Sequence, residues 1–268
     1  MELENKPQFS VVVPAYNEIG RIEPTLKDLL FTLDLRSTRG YEMLVVMDGC
    51  NDGTPETVKG MIGNHSNATA LVFPNRLGKG GAIMEALKYT KGDLIAFIDA
   101  DGSVPSWELC RLLDLAHGYD LVIGSRYQRS SNLLLGRPLT RAVLSRGFNV
   151  LAKLMFPRLL GIKDTQCGIK VFKRSLVNSI NGDLLITDFA FDVNLIYSAL
   201  RGGFKVKEVG ITWTEKEGSK LSRGLAKQSL AMLFSLLRLR IQYSGLRKTL
   251  SSRLFEILAG RIYFWLRT

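Results

Sequence analysis

Apolar residues follow two alternating rhythms over the first hundred positions. Residues 9–14, Phe-Ser-Val-Val-Val-Pro, form a short β-branched run closed by proline, and Ile22, Leu26, Leu29, Leu30 and Leu33 then recur at helical spacing. The pattern predicts a strand followed by a helix. Residues 41–47 repeat the strand signal, 54–61 the helix signal behind Gly53-Thr54, 69–73 a third strand, 80–89 a third helix, and 94–98 a fourth strand that is apolar throughout. This alternation predicts an α/β fold with a mostly parallel, doubly wound sheet, whose ligands bind beyond the carboxyl ends of the strands. Past residue 120 the signal is less regular: a strand at 121–124, a long helix at 139–160, a helix at 188–200, one alternating strand at 205–214, and a helical tail from about Gly224. We expect a main α/β domain over 1–218 and an amphipathic helical tail over 219–268.

The residues that follow the four leading strands are polar, and such a fold places them on one rim. They are Pro14-Ala-Tyr-Asn-Glu18, Asp48-Gly-Cys-Asn-Asp52-Gly-Thr54, Asn75-Arg-Leu-Gly-Lys79-Gly-Gly81 and Asp99-Ala-Asp101-Gly-Ser103. Two carboxylates held two residues apart at a strand end present oxygens to one hard divalent cation, Mg²⁺ or Mn²⁺, and leave positions for a diphosphate. An isolated Asp-x-Asp is also a common turn or capping cluster; delivery to the ligand rim by a fully apolar strand turns the reading toward a metal. Residues 75–81 form a glycine-rich turn into a helix, with Arg76 and Lys79 adding charge, which is the form of an anion cradle. It is not a Walker A loop, because Gly80 stands where Ser or Thr is required. Asp48, at its strand end, is a ligand candidate, whereas Asp52-Gly-Thr54 reads as a helix cap.

Composition narrows the class. The 268 residues are 46% hydrophobic and 23% charged, an ordinary globular balance that excludes fibrous and wholly disordered chains. Cys50, Cys110 and Cys167 show no CxxC spacing, which argues against a disulfide framework or a thiolate zinc site and suits a reducing compartment. The net charge of +11 is uneven: residues 125–174 hold 11 basic and 1 acidic side chains, and 219–268 hold 10 and 1, while 1–124 are acidic overall. Each basic stretch is expected to face something anionic. The start is polar, without a signal-peptide pattern, and the late apolar segments 225–241 and 254–266 are broken by Lys227, Arg238 and Arg240, and by Glu256 and Arg261. We therefore expect no spanning helix, but a basic amphipathic tail, with Tyr263, Phe264 and Trp265, lying on the cytoplasmic face of a membrane. Nucleic acid is not expected as a partner: that reading rests on charge alone, and unmetallated rim carboxylates repel phosphates.

The four rim motifs, in this order and spacing, resemble glycosyltransferase family 2 with its GT-A fold, over roughly residues 8–215. The resemblance implies that Pro14, Tyr16, Glu18 and Asp48 hold the base and ribose of a sugar nucleotide, that Lys79 and Asp99 position it, and that Asp101, with Asp99 and Ser103, binds the metal on its diphosphate. Where the family often has Asp-Asp-Gly-Ser, this chain has Met47-Asp48-Gly49-Cys50. Gly124-Ser-Arg126-Tyr, Asp164-Thr-Gln-Cys-Gly-Ile-Lys170, Phe191-Asp192-Val-Asn-Leu and the run from Trp213 to Lys220-Leu resemble the polyprenyl-phosphate branch, dolichyl-phosphate β-glucosyltransferases and more distantly dolichol-phosphate mannose synthases. The Gln-x-x-Arg-Trp motif of processive polysaccharide synthases is missing from the sequence. Ser103 stands where mannose-synthase-like members commonly place Gln, which tilts the implied donor toward UDP-glucose.

An acceptor lipid phosphate needs cations, and Arg126, Arg137, Arg141, Arg146 and Lys220 are the candidates. Its oxygen is already anionic, so attack on the anomeric carbon requires no strong base, and the resemblance implies direct displacement with inversion. A glycan hydroxyl or another lipid acceptor is the alternative. A hydroxyl needs a base, for which Asp192 or Asp164 is the carboxylate to test, although Asp164 can equally brace the loop before Gly168.

Overall fold

Val11 and Val13 pack on one side of a sheet and Val12 on the other, all three without solvent exposure, and the same division runs through Met43/Leu44 and Ala96/Phe97. Strands apolar on both faces must be covered on both, which is what α/β alternation supplies. The computed structural model describes residues 6–37, 40–134, 139–216 and 225–244. Its main sheet contains β1 (Phe9–Ala15), β2 (Tyr41–Asp48), β3 (Ala68–Phe73), β4 (Leu94–Ile98), β5 (Leu121–Ser125), β7 (Ile169–Lys173) and β8 (Val206–Gly210), in the order β3-β2-β1-β4-β7-β5-β8. A short parallel pair, β6 (Asn132–Leu133) and β9 (Thr212–Trp213), lies beside it. One face is covered by α1 (Ile22–Arg36), α2 (Thr54–Ile62) and α4 (Ser106–Leu115). The other carries α3 (Lys79–Leu87), α5 (Leu139–Met155), α6 (Arg174–Ile180), α7 (Phe191–Arg201) and α8 (Leu225–Gln242).

Three features differ from the sequence reading. The helix expected over 139–160 ends at Met155, and Pro157, which cannot continue it, opens a 3₁₀ turn over Pro157–Gly161. The single strand expected at 205–214 divides at Ile211 into β8 and β9. Two strands and two helices, β6, β7, α4 and α6, were not anticipated. β7 is the consequential one, because it runs antiparallel between β4 and β5 in an otherwise parallel sheet. The first helix of the expected tail is α8: Leu236 and Leu239 are fully buried, and Ser235 Oγ donates to Asp188 Oδ2 at 2.6 Å. Residues 217–224 and 245–268, with Lys220 and the terminal aromatics, lie outside the described residues.

Candidate active site

The chain leaves β1 toward β2 and β3 and later returns to β4 on β1's other side, so a crevice opens between the carboxyl ends of β1 and β4. Antiparallel β7 begins where its neighbours end, with Ile169 opposite Ile98, and therefore delivers residues 164–168 to that rim. β5 adds Ser125 and Arg126.

On the β1–β2 side the loops lock together. Asn17, left-handed at φ 54°, donates from its amide to Asn51 Oδ1 at 2.6 Å and accepts the Asn51 N–H at 2.8 Å. The Glu18 N–H donates to Thr54 Oγ1 at 2.8 Å, and Pro14 and Tyr16 are half-buried beside them. Asp48 is buried and accepts the N–H groups of Leu77 and, at 2.8 Å, Gly78. Backbone donors that the sequence suggested for an anion cradle are thus engaged by a carboxylate of the chain itself. The Arg76 guanidinium stacks on Tyr16, 3.6 Å from the ring centroid. Burial, opposed by Arg21 and reinforced by Asp101 and Asp99, pushes the Glu18 carboxyl up to about 7.

A chain of alternating charges forms the floor. Lys79 Nζ lies 2.9 Å from Asp99 Oδ1 and 3.4 Å from Asp192 Oδ2, and Lys170 Nζ lies 2.5 Å from Asp192 Oδ1 and 2.8 Å from the Cys167 carbonyl. Burial works against the Lys79 charge, yet Asp192 and Asp99 outweigh it and raise its pKa. Asp99 is half-buried and opens onto the cavity; burial raises its pKa, Lys79 opposes this, and Asp101 adds to it. Its position depends on Gly168. A Cβ there would stand 2.0 Å from Asp99 Oδ2, so only glycine leaves room for the carboxylate. Asp101 Oδ1 accepts the Ser103 N–H at 2.9 Å. Asp99, Asp101 and Ser103 all border a cavity of about 480 Å³, and the two carboxylates are hard oxygen donors suited to Mg²⁺ or Mn²⁺.

The same cavity is bordered by Arg126 and Asp192, and its far wall is apolar: Val143, Leu144, Phe148 and Leu151 of α5, with Met232 and Leu233 of α8. Arg126 forms a paired contact with Asp164, Nε to Oδ2 at 2.7 Å and Nη2 to Oδ1 at 2.8 Å. Asp164 is fully buried behind that guanidinium, which, against the cost of burial, holds the carboxyl below its usual range. Of the two readings left open for Asp164, a base or a brace for the loop before Gly168, this pairing fits the brace. Arg146 is exposed on α5, 5.9 Å from the Tyr127 ring centroid. Arg137 lies outside the described residues, and of Arg141 only its place in the first turn of α5 is described.

A model of the family described as Glycosyl transferase family 2 matches residues 10–180. The chain belongs to glycosyltransferase family 2. As a family 2 glycosyltransferase it is an enzyme, with the GT-A-like fold that the motifs implied. It is 33% identical over 247 residues to a dolichyl-phosphate beta-glucosyltransferase of Dictyostelium discoideum, covering 88% of this chain and 74% of that protein. With the dolichyl-phosphate beta-glucosyltransferase of Homo sapiens it shares 33% identity over 227 residues, 80% of this chain and 69% of that one. Among solved structures, glucosyl-3-phosphoglycerate synthase from Mycobacterium tuberculosis, in complex with Mn²⁺, uridine diphosphate and phosphoglyceric acid, superposes with a TM-score of 0.66 at 20% identity. It covers 88% of this glycosyltransferase and 78% of that chain, a likeness of fold.

Two features of the site went unread in the sequence. Lys170 stood inside a quoted motif without a role, because the strand that carries it was not anticipated, yet it is fully buried. The apolar wall was missed because residues 139–160 were read only as a long helix, with no face of it assigned to a cavity.

Proposed function

We propose that this glycosyltransferase moves glucose from UDP-glucose to a polyprenyl phosphate such as dolichyl phosphate, with inversion and with Mg²⁺ or Mn²⁺, at the cytoplasmic face of a membrane. The observation that carries the reading is the cavity itself, where a floor of Lys79, Asp99, Asp101 and Arg126 meets an apolar wall from α5 and α8. A diphosphate and a phosphate suit the floor, and an isoprenoid chain suits the wall. The names of the relatives, dolichyl-phosphate beta-glucosyltransferases at 30–34% identity, support the same acceptor and sugar.

In this reading Pro14, Tyr16 and Glu18 hold the nucleoside, and Asp48 acts through the Leu77–Gly78 turn that it ties down. Asp99 and Asp101, with Ser103 beside them, hold the metal, which when bound neutralises charge developing on the leaving nucleoside diphosphate. Lys79 adds a fixed cation at the same place. Arg126, pre-set by Asp164, faces the acceptor phosphate, and Arg146, Arg141, Arg137 and Lys220 add positive charge around it. Asp192 is held between two lysines, an arrangement for positioning charge. Catalysis then rests on alignment of an anionic nucleophile with the anomeric carbon.

Among the described residues no helix is long and apolar enough to cross a membrane. The exposed side chains Val143, Val150 and Leu154 of α5 and Leu230 and Leu237 of α8 suit a membrane surface. Neither helix contains an acidic residue, while Arg146, Lys153, Arg238 and Arg240 supply positive charge for anionic lipid. The basic segment 245–268 is proposed to join them, and three free thiols suit the reducing side. The test is a donor panel of labelled UDP-glucose, UDP-N-acetylglucosamine and GDP-mannose with polyprenyl phosphate and Mn²⁺, counting label in the organic phase. Transfer from UDP-glucose, abolished by EDTA, is expected; preference for GDP-mannose overturns the assignment of the donor.

A further inference from the structure

Lys170 is a fully buried ammonium for which the mechanism above has no use. It sits on the same face of β7 as Phe172, which places it against α7 and Asp192 in place of solvent. Both lysines lie over the Phe97 ring, with Lys79 Nζ 5.4 Å and Lys170 Nζ 5.2 Å from its centroid. Lys170 and Asp192 are buried, which weakens solvent screening of their charges, so the charge arithmetic matters.

Asp192 is shared unequally. Lys170 approaches one oxygen to 2.5 Å, whereas Lys79 stays 3.4 Å from the other and closer, at 2.9 Å, to Asp99. Asp99, Lys79, Asp192 and Lys170 together are neutral. Without Lys170 the group carries one net negative charge, and Asp192 then draws Lys79 away from Asp99 and cancels its charge in a cavity meant to receive phosphates. We propose that Lys170 is a positioning residue: by neutralising Asp192 it keeps the Lys79 ammonium available to the diphosphate of the donor. The inference rests on the reading that Lys79 faces that diphosphate.

Charge arithmetic gives the variants opposite signs, which a merely structural role does not. The measurement is calorimetric titration of the full chain with UDP and Mn²⁺, each variant first checked by thermal melting. Lys170→Met is expected to weaken UDP binding about tenfold, the effect of one unit charge within several ångströms in a protein-like dielectric. Asp192→Asn, which frees both lysines, is expected to tighten it several-fold. The double variant K170M/D192N restores neutrality and should return to within about threefold of wild type. Should Lys170→Met fail to fold, Asp192→Asn and the double variant still decide the matter. Weaker binding in all three, or no change in any, overturns the proposal. Lys79→Met separates it from the reading beneath: if that variant binds UDP like wild type, the placement of the diphosphate is wrong, whereas if it binds weakly and Asp192→Asn does not bind tightly, the role of Lys170 alone falls.

Discussion

Gly168→Ala asks whether the Asp99 carboxylate works where the structure holds it. The added Cβ would lie 2.0 Å from Asp99 Oδ2 and 2.5 Å from Cγ, against an ordinary contact of about 3.5 Å, so a retreat of roughly 1.5 Å is required. Backbone cannot supply it: the Asp99 N–H donates to the Gly168 carbonyl at 2.9 Å, and the adjoining residues Ile98 and Ile169 are paired in the β4–β7 ladder. The carboxylate must rotate instead, breaking its contact with Lys79. Overpacking of this kind costs about 1–3 kcal/mol, or about 2–10 °C in melting temperature for a chain of this size. Displacing a group in the reacting constellation by more than an ångström costs about 10²-fold in rate. Thermal melting with and without Mn²⁺, together with transfer of labelled glucose, measures both. A small loss of stability with a large loss of transfer and of Mn²⁺-induced stabilisation is expected. A variant with the wild-type rate and wild-type response to Mn²⁺ would refute the placement of Asp99 at the metal.

Other predictions address the surroundings of that site. Asp164→Asn leaves the buried Arg126 guanidinium without its counter-charge and should cost about 3–5 kcal/mol in urea denaturation, while unchanged stability would show that the pair does not brace the rim. Glu18 titrates at about 7 in the native state against 4.5 as its ordinary value, so between those values the folded protein holds a proton that the unfolded chain has released. Stability should therefore fall as pH rises through that window and level off above it. Glu18→Gln in EDTA should melt higher than wild type at pH 8 and equally near pH 4.5; a constant offset at all pH values contradicts the desolvation account. Val150→Ser with Leu154→Ser should reduce co-sedimentation with anionic liposomes several-fold at unchanged melting temperature, since both side chains are exposed. Retained co-sedimentation would remove α5 from the membrane face.

The parallel half of the fold was legible because its strands are apolar on both faces and each is followed by a helix at 3.6 periodicity, as in Val11–Val13 and Leu26–Leu33. The rim carboxylates Asp99 and Asp101 could be placed for the same reason: a strand buried on both sides announces where its end points. β7 was hidden by its own chemistry, since Lys170 breaks the apolar signal yet is buried by pairing with Asp192. α4 was missed although Leu109, Leu112 and Leu113 stand at helical spacing and are buried. Local spacing also cannot reveal which donor a carboxylate meets across the fold. Asp48 was read as a substrate ligand, and nothing near it in the chain showed that its oxygens accept from Leu77 and Gly78, about thirty positions away. Arg126 and Asp164 were both candidates for chemistry, and their mutual pairing, which decides that one faces the cavity and the other does not, appears only in three dimensions.

The central claim is that the nucleophile is a lipid phosphate. Full-length protein incubated with UDP-glucose, Mn²⁺ and polyprenyl phosphate, with the dephosphorylated polyprenol as a parallel acceptor and Asp101→Ala as control, tests it by mass spectrometry of the extracted lipid. The account predicts a product with the mass of the lipid phosphate plus one anhydrohexose, bearing a glycosidic phosphodiester, none from the free polyprenol, and none from the variant. Glucosylated polyprenol, or donor consumption with no lipid product, would contradict it and place a hydroxyl at the anomeric carbon.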